Sequence, residues 1–302
     1  MIKKVFFYIL ILNLSLIYSQ QESQYTQYMY NALSFNPAYA GSREVISIFG
    51  LHRNQWMTLE GAPITSQLSI HMPVKLTNLG LGGSINHDYI GPTQFINANF
   101  NVSYGTYLTK TWRLVGGLRV DYDHFSINPN RLDIYDIDDP KFQSKFNQFS
   151  PNLGLGLFSY SEKFYFGFSI PQLLKKYRFD NETIQLNQTT GHFYAIGGYV
   201  FDLTKKIKLK PAFLAKKIKQ VPLQVDFSLS ALFYDKFSIG GAYRNSKAFS
   251  ALAGFQINKA WMIGYAYDLE STNLINYNSG SHELFLRYEF DLSTRISSPR
   301  FF

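Results

Sequence analysis

Residues 224–233 read Gln224-Val225-Asp226-Phe227-Ser228-Leu229-Ser230-Ala231-Leu232-Phe233. Val225, Phe227, Leu229, Ala231 and Phe233 alternate with Gln224, Asp226, Ser228 and Ser230. Successive side chains of a strand point to opposite faces, so this stretch predicts a strand with one apolar and one polar face. The same period recurs outward from it. In 95–104, Ile96, Ala98, Phe100, Val102 and Tyr104 oppose Asn97, Asn99, Asn101 and Ser103. In 260–268, Trp261, Ile263, Tyr265 and Tyr267 oppose Gly264, Ala266 and Asp268. Near the end, Leu284, Leu286, Tyr288 and Phe290 oppose Glu283, Arg287 and Glu289.

The connections between such segments alternate in length. Short ones lie at 74–76, 109–111, 161–163, 204–206, 234–236 and 258–260, and each carries a lysine. Longer or more polar ones are expected near 52–62, 86–93, 123–149, 171–190, 216–222, 244–248 and 268–281. A two-sheet sandwich uses strands of this period too. Aromatic residues bracketing the apolar faces, and short turns alternating with long loops, favour a membrane barrel. The expected fold is all-β, a transmembrane antiparallel β-barrel of about 14 strands. Pro211 sits inside the strand expected at 206–216, where it cannot donate to a ladder, so a bulge or a strand boundary is expected there.

Composition narrows the class. The 302 residues include no Cys, 46% hydrophobic, 17% aromatic and 17% charged residues. No run approaches the ~20 apolar residues of a membrane helix, disulfide frameworks and thiolate metal sites are excluded, and 27 Phe with 22 Tyr argue against disorder. A basic start (Met1 to Lys4), an apolar core (Val5 to Ile17) and a small-residue exit (Tyr18-Ser19-Gln20) predict a signal peptide over 1–19. Beyond it, 20–42 is expected to be a plug or periplasmic segment, and 43–302 the outer-membrane barrel.

Glycines cluster on the strands at 80, 82, 83, 116, 117, 154, 156, 197, 198, 240 and 241. They permit curvature, or close approach of something packed inside. The aromatic, uncharged run Gln24-Tyr25-Thr26-Gln27-Tyr28-Met29-Tyr30-Asn31 is the candidate, as a lumenal or rim-docked plug. The net charge of +8 has no basic helix or aromatic groove to carry it, so no nucleic acid is expected. A lysine rim suits the headgroups of outer-membrane lipid or an acidic periplasmic partner. Lys205, Lys206, Lys208, Lys210, Lys216, Lys217 and Lys219 make one strand pair unusually basic. Asp121, Asp123, Asp133, Asp136, Asp138 and Asp139 read as a solvated acidic loop, since their spacing fits no calcium-loop template. The six histidines are scattered without ligand or triad spacing, so no catalytic residue, metal or cofactor is expected.

Five stretches occur in order: Gln27-Tyr28-Met29 with Asn36-Pro37-Ala38-Tyr39-Ala40-Gly41-Ser42; Arg53-Asn54-Gln55-Trp56; Glu60-Gly61-Ala62-Pro63 with Thr65; Asp88-Tyr89-Ile90-Gly91-Pro92-Thr93; and a terminal Ser298-Pro299-Arg300-Phe301-Phe302. The set resembles the PorP/SprF family of the type IX secretion system. The resemblance implies a non-enzymatic outer-membrane component supporting secretion or surface attachment of cargo, such as gliding adhesins. It implies two partners: a cargo protein with a C-terminal sorting domain, and periplasmic ring subunits of the machine. Asn36-Pro37-Ala38 is also similar to a triplet in the hatch of FadL-type transporters, whose activity, passage of small hydrophobic solutes, is the alternative. The matched residues are the candidates for partner or plug contacts: Asn36, Pro37, Tyr39, Gly41, Arg53, Gln55, Trp56, Gly61, Pro63, Asp88, Gly91 and Pro92. Asn36-Pro37 is a turn signal, Gly41 suits a positive φ before the first strand, and Gly61 to Pro63 and Gly91-Pro92 shape turns. Arg53 and Trp56 suit an Arg–aromatic stack or an interfacial belt. Phe142, Phe146, Phe149, Tyr177 and Phe179 mark aromatic loops where a protein partner could dock.

Overall fold

A computed structural model describes residues 25–131, 146–174, 176–178, 186–189, 191–218 and 221–290. The readings made for 1–24, 132–145 and 291–302 lie outside them, as does Phe179.

The strands are β1 Ile46–Asn54, β2 Ile64–Pro73, β3 Leu79–Ile90, β4 Thr93–Tyr107, β5 Arg113–Ile127, β6 Phe146–Tyr160, β7 Phe164–Ile170, β8 Lys176–Arg178, β9 Leu186–Thr189, β10 Phe193–Tyr199, β11 Phe201–Thr204, β12 Ile207–Lys217, β13 Gln224–Phe233, β14 Phe237–Arg244, β15 Ala248–Gln256, β16 Trp261–Glu270 and β17 Ser281–Phe290. Sequence neighbours pair antiparallel, and β1 pairs with both β2 and β17, which closes the sheet. β8 and β9 form a separate hairpin in the β7–β10 connection. β10 and β11 are one stave interrupted at Val200, since both pair with β12. Fourteen staves result, the expected number.

The interruption answers the proline question. The β10 pairing reaches Gly198 opposite Ala212, and the β11 pairing resumes at Phe201 opposite Leu209. Pro211 falls in that gap while its other side faces Leu229 of β13. The ladder lapses where proline has no N–H to give.

Two expected long connections are short. β3 runs to Ile90 and β4 starts at Thr93, leaving only Gly91-Pro92 between them, and only 245–247 separates β14 from β15. Polar strand ends mimic loops in sequence. Likewise the 123–149 connection shrinks, because β5 runs to Ile127 and β6 starts at Phe146. Asp121 and Asp123 therefore belong to a strand and face inward, each 2% exposed, rather than to a solvated loop. The basic cluster is also redistributed. Lys210 and Lys216 on β12 are buried, Lys208 is half-buried, and Lys205, Lys206 and Lys217 are exposed, while Lys219 lies outside the described residues.

The alternation resolves into inside and outside as a barrel requires. On β13, Asp226, Ser228 and Ser230 are buried, while Phe227 is 59% and Leu229 50% exposed. Leu68, Ile85, Phe100, Leu118, Leu157, Ile239 and Leu286 are outward and exposed in the same way. No second described sheet covers them, so their stable surroundings are hydrocarbon. Near the short-turn end Trp112 packs on Phe164 (5.4 Å), Tyr199 on Phe201 (4.5 Å) and Trp261 on Tyr288 (4.4 Å), an aromatic girdle. The adjacent turns expose Lys75, Lys110, Lys205, Lys206, Lys236 and Lys259. A hydrogen bond from Lys163 to Asp202 (2.7 Å) raises the Lys163 ammonium above its ordinary value.

This orientation predicts an asymmetric mutational response. Leu229→Arg at the middle of β13 is expected to cost about 2–4 kcal/mol. Its neighbour Ser228→Ala, which loses one hydrogen bond to Tyr28, is expected to cost about 1 kcal/mol. Urea unfolding in lipid vesicles, followed by heat-modifiable gel migration, checks the ordering.

Candidate functional site

Residues Tyr25 to Arg43 pack against inward-facing side chains of the barrel strands. Short 3-10 turns at Tyr28–Tyr30, Ala32–Ser34 and Pro37–Tyr39 carry this segment, and nearly every residue is buried. Such turns leave backbone groups without helical partners, and the barrel wall supplies some of them. Arg119 of β5 donates to the Leu33 carbonyl (2.7 Å) and the Ser34 carbonyl (3.2 Å). Ser103 of β4 donates to the Ala40 carbonyl (2.7 Å). Asn31 donates to Ser69 (3.0 Å), and the Tyr28 hydroxyl lies 3.0 Å from that of Ser228.

Asn36 and Pro37 act together. The Asn36 carbonyl oxygen caps the turn by accepting from the Ala38 amide (3.0 Å). Its amide donates across the β6–β7 pair to the carbonyls of Leu157 (2.9 Å) and Phe168 (3.2 Å). The approach is possible because the wall there is glycine. A Cβ on Gly156 would overlap Asn36, one on Gly117 the Ala38 amide, and one on Gly80 the Ala40 carbonyl. Tyr39 packs edge-on to His71 (5.4 Å) and Phe158 (5.5 Å). Gly41 has φ of 72° and donates its amide to His71 Nδ1 (3.2 Å).

The segment runs the length of the barrel. At the long-connection end, Thr26 and Gln27 donate their backbone amides to Glu283 (3.0 and 2.8 Å), and the Thr26 hydroxyl donates to Asp268 (2.6 Å). Arg53 Nη1 lies 2.6 Å from Asp268 and 3.2 Å from Glu283, and also donates to Thr26. At the short-turn end Arg43 pairs with Glu289. A further lumenal pair joins Arg244 to Asp226 (2.9 Å).

The candidate residues therefore divide. Asn36, Pro37, Tyr39 and Gly41 lie in the lumenal segment. Arg53 faces the lumen at 2% exposure and pairs with carboxylates, so it forms neither a belt nor a stack with Trp56. Asp88 is inward too and accepts from Thr65. Gln55, Trp56, Gly61 and Gly91 gather instead at the long-connection end, around a cavity of about 510 Å³ lined also by Met57, Leu59, Ile64, Tyr89 and Arg131. Pro63 and Pro92 brace its turns, accepting from the amides of Gln55 (3.0 Å) and Asn128 (2.9 Å). The Gly91 amide donates to the Gly61 carbonyl (2.9 Å), joining two motifs that are thirty residues apart. Of the aromatic loop residues, Phe149 sits on β6, exposed and stacked on His124 (4.4 Å). Asp268, Glu283, Glu289, Arg43 and Arg119 were not among the sequence candidates. For the four on strands the signal was a charge on an inward face, which demands a counterion from elsewhere; Arg43, which precedes β1, is such a counterion for Glu289.

Among solved structures the chain is similar to the outer membrane protein Omp33 of Acinetobacter baumannii, with a TM-score of 0.50 and 10% identity over 83% of this chain and 100% of that one. The Ralstonia pickettii toluene transporter TbuX gives a TM-score of 0.51 and 10% identity over 85% and 92% of the two chains. The CymD monoaromatic hydrocarbon channel gives 0.51 and 10% over 88% and 93%. These likenesses establish the outer-membrane barrel architecture. No curated protein matches the sequence significantly. A model of the type IX secretion system membrane protein PorP/SprF matches residues 17–288. With a match of that extent on a closed barrel of fourteen staves, the chain belongs to the PorP/SprF family and is an outer-membrane component of the type IX secretion system.

Proposed function

We propose that this barrel is a closed, non-catalytic scaffold that supports secretion and surface attachment of cargo at its outer face, with residues 25–42 serving as the plug of its lumen. The observation that carries the reading is the lumenal segment. It is held by β1, β2, β4, β5, β6, β13, β16 and β17 through hydrogen bonds, with side chains of opposite walls meeting it. A barrel filled in this way offers no wide path for a folded cargo, so the cargo is engaged from outside. The long connections, including the motif-lined cavity, are the surface on offer there. The lysine rim at the other end suits phospholipid headgroups and an acidic periplasmic subunit.

Deleting the gene and assaying the culture surface tests this reading. Loss of surface-attached or secreted cargo with an intact outer membrane is expected, and unchanged export contradicts it. The solute-transporter alternative predicts selective uptake of small hydrophobic solutes by the purified barrel in vesicles, which the plugged barrel should lack.

A further inference from the structure

We propose that the outer-end cavity is a binding site for a polypeptide segment that presents an aromatic or aliphatic side chain beside a carboxylate. The inference rests on the scaffold reading, and names the ligand chemistry of its outer face. The cavity's volume, about 510 Å³, falls within the range of ligand sites. Trp56, Met57, Leu59, Ile64 and Tyr89 give it apolar walls, with Met57 39%, Leu59 38% and Ile64 42% exposed. Arg131 supplies the single charge among its described lining residues. Its guanidinium lies 5.8 Å from the Tyr89 ring centroid, and no carboxylate among the described residues pairs with it. A guanidinium held over an aromatic face at the edge of an apolar pocket matches a carboxylate, which it can grip with two parallel hydrogen bonds.

The walls are held rigidly, at a local cost. Trp56 has φ of 48° and Thr58 of 77°, values that a β-branched residue such as threonine rarely adopts. Such backbone persists where surrounding contacts over-determine it, and it gathers at binding sites. Here Met57 exchanges backbone hydrogen bonds with the β16–β17 connection, donating to the Gly280 carbonyl (2.8 Å) and accepting from the Ser279 amide (2.8 Å). The Trp56 amide donates to the Ser281 hydroxyl (3.1 Å). The Gly61–Gly91 bond ties in the β3–β4 turn. Three connections are thus locked into one frame before any ligand arrives, which lowers the ordering cost of binding.

The test uses Trp56 as reporter in a background carrying Trp112→Phe and Trp261→Phe, the chain's other two tryptophans. The purified barrel in detergent is titrated with N-acetyl-diphenylalanine and with its C-terminal amide. A saturable change in Trp56 emission is expected, with the acid binding about tenfold more tightly than the amide. Arg131→Gln should abolish that difference while leaving heat-modifiable migration unchanged, and Arg131→Lys should restore part of it. Equal binding of acid and amide, no saturable change, or indifference to Arg131→Gln overturns the proposal. Export is then assayed in the Arg131→Gln strain. A lost acid–amide difference with normal export overturns the cavity's role in cargo capture and leaves the scaffold reading standing. Normal export in the full gene deletion overturns the scaffold reading itself.

Discussion

Removing residues 25–42 is expected to turn a barrel with little steady conductance into an open channel. Small barrels fill their lumen with strand side chains, and barrels of sixteen or more strands leave an aqueous pore. Fourteen staves lie between these cases, so something must fill the space that side chains do not. In the proposed plug it is filled by Leu33, Ala38, Tyr28 and Tyr30, all at most 4% exposed, against a wall thinned by Gly80, Gly117 and Gly156. Without the segment, those glycines would border water. Ion conductance in planar bilayers should rise by more than about tenfold. A second variant guards against misfolding. Gly117→Phe keeps every residue of the segment but puts a ring where the Ala38 backbone lies, and should also raise conductance. A wild-type barrel that already conducts as the deletion does would contradict this.

Arg53→Ala is the substitution with the largest expected effect on stability. Arg53, Asp268 and Glu283 have side chains no more than 3% exposed. The guanidinium pairs with both carboxylates, and Glu283 also accepts from the Thr26 and Gln27 amides. Truncation removes the cation that the two buried carboxylates share, a loss of about 3–5 kcal/mol. The same cluster anchors the start of the lumenal segment, so Thr26 loses a partner as well. Adding Asp268→Asn and Glu283→Gln to Arg53→Met should recover most of the loss, because the buried charges then go together. Urea midpoints in vesicles measure both. A single mutant as stable as the wild type would mean that water reaches the cluster and screens it.

Much of the architecture was legible because a barrel wall is a local code. Phe227 and Ser228 declare outside and inside by alternation alone, and a lysine between two such runs marks a turn. The reading failed where a strand end is polar, as at Asn86 to Asp88 and at Arg244, since hydrogen bonds to neighbouring strands there replace the loop that composition suggests. It also treated the inward face as wholly polar. Phe49 and Phe285 face inward, stack at 5.1 Å and receive Tyr30 at 4.7 Å from Phe285. Leu284, Phe285 and Leu286 are apolar on both faces, a mark of a strand with lipid on one side and a packed segment on the other. The Arg53 cluster was beyond local reading. It joins residues more than two hundred positions apart, and only the closure of β1 on β17 brings them within reach. Trp56 and Gly91 were picked out by resemblance, but their meeting at one cavity depends on the β2–β3 register.

The absence of cysteine from the natural chain makes one measurement especially clean. Asn31 donates to Ser69 from the lumenal segment, while Leu68, next along β2, is 58% exposed on the outer face. Asn31→Cys is paired in turn with Ser69→Cys and with Leu68→Cys, and each barrel is treated in membranes with a short bifunctional thiol reagent. Intramolecular cross-linking of the first pair with none in the second is the predicted result. Equal cross-linking of the two, or none in the Ser69 pair, would place residues 25–42 outside the lumen and contradict the account.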